Sequence, residues 1–188
     1  MTLQAFTGST TSAQPSLRHK TDTDHEGIGP LSAELLIICL DPVEAIRTLV
    51  PFFEAQGITF ASEGGNTLTI TGRITGATAS LPTDGIPQPE ELESCSAALG
   101  RELQTMGQLR LVLVLGVSAH ITALGACGIP LTRLDFRPGE ITRLPDGLLL
   151  ADACHLPADA ASANLLPSRK QVLTTLISRI RAALRPSA

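Results

Sequence analysis

The chain has 188 residues, a net charge of −4, five Phe and neither Trp nor Tyr. These totals argue against a second large domain, against a general electrostatic pull toward nucleic acid, and against an aromatic surface for stacking bases or sugars. No apolar run reaches the roughly 18 residues of a membrane span, so no membrane association is expected.

Residues 1–26 are rich in Ser, Thr and Gln and lack an apolar segment. That composition predicts a disordered N-terminal tail rather than a secretory signal, followed by a single domain over 27–186. The tail is free of acids as far as Lys20, so an organellar transit peptide stays open as an alternative. Cys39, Cys95, Cys127 and Cys154 form no C-x-x-C pair. The expectation is a reduced, cytoplasmic protein with buried thiols.

"AELLIICL" (33–40) is a short continuous apolar run, as in a strand buried on both faces. "DPVE" follows at once: Asp41 is a good N-cap, Pro42 suits the first helical position, and Glu44 completes a capping box. Ile46, Leu49, Val50 and Phe53 then recur at helical spacing until Gly57. "EGGN" (63–66) is a turn, and "TLTITGRITGATAS" (67–80) reads as strand. A Pro/Gly loop over 81–89 precedes a helix of about 89–106 that carries Leu92, Cys95, Leu99, Leu103 and Met106 on one face. Glu90, Glu91 and Glu93 suit the positive end of that helix.

"QLRLVLVLG" (108–116) is the strongest buried strand, and Gly116 and Ser118 lead into a short helix ending near Gly125. Residues 136–147 form a loop with a short extended piece. "LLLADACH" (148–155) is a last buried strand presenting Cys154 and His155 at its carboxyl end. A final helix over 168–185 turns Leu173, Leu176, Ile177, Ile180 and Leu184 inward. Alternating strands and helices predict an α/β fold with a mostly parallel sheet and helices on both faces. No G-x-S-x-G, P-loop or zinc-like His/Cys spacing is present.

"PQPEELESCSAALGRELQTMGQLRLVLVLGVSAHITAL" (87–124) and "ITRLPDGLLLADACHLP" (141–157) resemble the uracil-DNA glycosylases of that superfamily's fourth and fifth families. "AELLIICLDP" and "RITGATASLPTDGIPQPEEL" look like the first two strands with their exits. The resemblance runs from about Gly27 to Leu184. It implies a three-layer α/β/α fold with a four-stranded, mostly parallel sheet and a nucleobase pocket at the carboxyl ends of the strands, as the crevice rule for open sheets also places it. It implies base flipping, stacking on an aromatic ring and hydrolysis by a positioned water. A histidine after the last strand would hold the departing base, and four cysteines would hold an iron–sulfur cluster.

Three departures shape the functional expectation. Only Cys95 matches a cluster position, the strand-exit position being Ser80, so no cofactor or metal is expected and Cys95 is read as a buried thiol. The long loop after the first strand, which in the family supplies the water-positioning residue and the aromatic platform, is replaced by "DPVE" capping a helix. Asp41 is therefore an N-cap, with a water-activating role as the alternative, and Phe53 is core rather than platform. "HLPADA" keeps His155 but not the Pro–Ser continuation. His155 is either a pocket-rim group facing an oxyanion or a solvated strand-end histidine.

The Gly116-Val117-Ser118 turn could bind phosphate, and His120 is expected to be a partly buried structural residue. The favoured expectation is a divergent glycosylase-like protein without base excision that binds DNA, a nucleobase or a protein partner. An active glycosylase using His155 and Asp41, and an assembly subunit with a filled pocket, stand beside it.

Overall fold

The computed structural model describes residues 27–60, 70–79, 87–155 and 167–185. The expected tail, the 63–66 turn, Ser80 and most of the Pro/Gly loop lie outside the described residues. Among the described residues six strands form one sheet: β1 (Leu35–Cys39), β2 (Ile58–Thr59), β3 (Ile70–Gly76), β4 (Leu111–Leu115), β5 (Ile141–Arg143) and β6 (Leu149–Ala153). Four α-helices accompany them: α1 (Pro42–Glu54), α2 (Pro89–Thr105), α3 (Val117–Ala126) and α4 (Pro167–Leu184).

β1 and β4 are buried at every position, which is why neither shows polar alternation. Leu35, Ile37 and Cys39 point to one face, where they meet Leu49 and Phe53 of α1 and Leu176, Ile177 and Ile180 of α4. Leu36 and Ile38 point to the other, where they meet Leu99 of α2 and Ala119, Ala123 and Leu124 of α3. The period-two geometry of a strand thus forces helices onto both sides of the sheet.

The strand order is β2-β3-β1-β4-β6-β5. β1 pairs in parallel with β3 (Ile37 opposite Ile74) and with β4 (Ile37 opposite Leu113), and β4 pairs in parallel with β6. β5 is antiparallel to β6 and closes one edge. The expectation of four strands is corrected to six. The extra two are β2, only two residues long, and β5, three residues long. Neither carries enough residues to show a periodicity in sequence.

Two contacts brace the layers. Arg73 on β3 points at α2, where its Nε donates to Glu102 Oε1 at 2.5 Å, while the Thr75 hydroxyl donates to Glu102 Oε2 at 3.1 Å. Arg73 also donates to the carbonyl of Gly29, tying down the segment that bridges Ile28 to Ile74. The second brace is steric. Ser96 of α2 and Gly125 of α3 approach so closely that a β-carbon on Gly125 would stand 2.6 Å from the Ser96 hydroxyl oxygen.

The capping box is half formed. Asp41 accepts from the Glu44 N–H, but the Glu44 carboxylate turns forward to the Thr48 hydroxyl at 2.9 Å and to Arg47 at 3.3 Å.

Because Arg73 and Glu102 are both nearly buried, Glu102→Ala should cost roughly 3–5 kcal/mol in a urea melt by stranding the guanidinium. An Arg73→Met/Glu102→Leu double variant should recover most of that loss, and equal losses in the two variants would refute the ion-pair account.

Candidate functional site at the strand ends

The chain leaves β1 toward β3 on one side and leaves β4 toward β6 on the other. With right-handed crossovers these two connections fall on opposite faces, as α1 and α3 do, and a crevice opens between the carboxyl ends of β1 and β4. The residues at that crevice are those just beyond Cys39 and Leu115: Asp41 at the start of α1, and Gly116 to Ser118 at the start of α3.

Asp41 has extended backbone geometry (φ −121°, ψ 95°), and its Oδ1 accepts from the Glu44 N–H at 3.0 Å. Its carbonyl accepts from the Ala45 N–H, the first bond of the helix. The carboxylate is thus engaged by the helix it caps. Below it, burial pushes the Cys39 thiol up to about 12, with the charge of Asp41 adding to the rise. Cys39 is therefore a neutral thiol, its sulfur placed 3.8 Å from the Thr75 carbonyl oxygen, and not a nucleophile.

Gly116 opens α3 with φ +96° and ψ 169°, and its N–H donates to the Ala153 carbonyl at 2.8 Å. A β-carbon there would stand 3.0 Å from that of His155. Glycine is required twice over, by the left-handed φ and by this approach. The turn that begins α3 and the exposed His155 beyond β6 are thereby in direct contact. Ser118 is half-buried on the first turn of α3, and its carbonyl accepts from the Thr122 hydroxyl, which also reaches the Ala77 carbonyl at 3.2 Å. Near that point the Thr78 hydroxyl is sealed from solvent without a hydrogen-bond partner, a costly state for a buried polar group.

The structure brings Gly116 and His155 together. It sets Asp41 two strand spacings away from the His155 strand, about 10 Å along the row of strand ends. Phe53 is fully buried and stacks edge-on against Phe60, ring centres 5.7 Å apart, so it belongs to the core. Cys95 is buried between Leu92 and Leu99 on α2. Burial raises its pKa, opposed by a hydrogen bond from the Ala79 backbone and aided by the charge of Glu91. Among the described residues no three His, Cys, Asp or Glu side chains gather to hold a metal ion. No helix among them is long and apolar enough to cross a membrane.

His120, expected to be partly buried, is buried, and its partners were not foreseen. Nδ1 lies 2.9 Å from Asp152 Oδ1 and Nε2 lies 3.1 Å from the Leu134 carbonyl. Both ring nitrogens face acceptors, so both bonds form only when the ring is an imidazolium. Burial opposes that charge, but the Asp152 hydrogen bond, the Leu134 carbonyl and the charges of Asp152 and Asp135 outweigh it, and the pKa is raised. Asp152 Oδ2 accepts from the Arg137 N–H at 2.8 Å, so the pair pins the 130–140 segment against α3 and β6. The signal available in sequence was an acid inside an otherwise apolar strand, "LLLADA", since a buried carboxylate demands a partner.

A cleft of about 650 Å³ lies at the opposite end of the sheet, lined among others by Leu109, Arg110 and Leu148. Neither a protein-family model nor a curated protein matches the chain.

Two outcomes follow. Asp41→Ala should cost about 1 kcal/mol, the ordinary worth of an N-cap, in thermal or chemical unfolding. The folded-state pKa of His120 lies above its ordinary value. Its contribution to stability is then complete below about pH 6.5 and is lost as pH rises through the folded-state value. The melting temperature should fall over that rise, and His120→Asn should flatten the dependence.

Proposed function

We propose that this chain is a divergent uracil-DNA glycosylase-like protein that holds a base-bearing nucleotide or DNA end at the carboxyl ends of β4 and β6 without cleaving it. The observation that carries the reading is the contact between Gly116 and His155. An exposed imidazole, able to donate or accept, stands beside a glycine turn whose following N–H groups begin a helix. That pairing suits an anionic or carbonyl oxygen, as in a nucleobase or a phosphate.

The absence of hydrolysis rests on Asp41. Hydrolysis of a glycosidic bond needs a group that orients and activates water. The carboxylate at the exit of β1 is instead bonded to the Glu44 N–H and held at the start of the helix it caps. The layered sheet and the correspondence of segments 87–124 and 141–157 with the glycosylases complete the reading as one of likeness.

The test uses a fluorescent oligonucleotide carrying one uracil. With excess protein and subsequent cleavage at abasic sites, no strand breakage is expected. Anisotropy should report binding that weakens with salt, and His155→Ala should weaken it roughly tenfold, the worth of one charge-assisted hydrogen bond, with the melting temperature unchanged. Base release would overturn the non-hydrolytic half, and loss of any His155-dependent binding would overturn the other.

A further inference from the structure

The far edge of the sheet has features that the strand-end site does not use. β5 is the last strand in the order. Its ladder to β6 uses residues on either side of the outward pair: the Asp152 N–H donates to the Glu140 carbonyl, and the Leu144 N–H donates to the Leu148 carbonyl. By the period of an antiparallel ladder, Thr142 also faces β6. The backbone N–H and C=O groups of Ile141 and Arg143 are then directed away from the sheet. Such an edge is a template for a further strand.

A cleft of about 500 Å³ lies beside this edge, with Ile129, Leu134 and Leu144 on its walls and Arg133 and Arg143 among its lining residues. Neither guanidinium has a hydrogen bond or ion pair among the described residues, and both residues are exposed. The nearby acids are already engaged. Asp135 and Glu140 face Arg137, and Asp146 accepts from the Leu148 N–H. The cleft therefore joins apolar walls to two guanidinium groups that have no ion-pair partner among the described residues. Its Leu134 wall is held in place, since the Leu134 carbonyl is a partner of the buried His120.

We propose that this edge is a docking surface for an extended acidic segment of a protein partner. The segment adds as a strand beside β5, placing apolar side chains in the cleft and carboxylates on Arg133 and Arg143. Strand addition takes its affinity from main-chain hydrogen bonds and its selectivity from such alternate pockets. A phosphate backbone would also find the two arginines. It offers nothing to the apolar walls and has no donor for the outward carbonyls of Ile141 and Arg143.

The experiment uses the full chain and a fluorescein-labelled octapeptide alternating Glu and Val. Controls are the same peptide with Lys for Glu and a single-stranded oligonucleotide of matching charge. Expected are binding of the Glu peptide alone, weakening with salt, and slower hydrogen exchange at the Ile141 and Arg143 amides on binding. An Arg133→Glu/Arg143→Glu variant, which alters only exposed side chains, should lose about tenfold in affinity through reversed charge. His155→Ala should bind the peptide unchanged, which separates this surface from the nucleotide site. Equal binding of the Lys peptide, insensitivity to the charge reversal, or charge-dependent binding of the oligonucleotide alone would overturn the proposal. So would amide protection that appears on raising protein concentration without peptide, since that would mean pairing between two copies.

Discussion

The sheet's two middle strands have no polar face, and the other elements take their places from that constraint. LLIIC and LVLVL lie side by side in parallel, each buried throughout. Water must be kept from both of their surfaces, so each needs a helical layer. Parallel strands can be joined only by crossovers, and the handedness of crossovers divides the helices between the layers. The gap between the ends of β1 and β4 is the geometric remainder of that division, and the residues gathered there owe their positions to it.

What the gap can do depends on how each connection leaves its strand. The exit from β1 passes into helix within two residues, so its single acid stabilises a helix end. The exit from β4 needs an unusual backbone angle and no side chain, which lets the chain end of β6 come against it. One connection has been closed by local structure while its neighbour has stayed open to contact. The proposed separation of binding from hydrolysis rests on this asymmetry.

The parts of the fold legible in sequence were those with a long or continuous pattern. β1, β4, α2 and the inward row of α4 were readable because burial repeats along each of them. β2 and β5 were not, because pairing at a sheet's margin is decided by backbone position and leaves little trace in two or three side chains. The site was legible only where its chemistry is local. The cap at Asp41 spans three residues and could be read directly. The His120–Asp152 pair spans 32 residues and the Arg73–Glu102 pair 29. Each half of those pairs looked like an ordinary polar residue until the fold joined them.

The close seat of Ser96 against Gly125 has a mechanical meaning. Where a hydroxyl meets a bare α-carbon there is no room for another atom, so α2 and α3 are fixed at a close spacing on their face of the sheet. Any larger residue at position 125 would have to displace Ser96 and part the two helices.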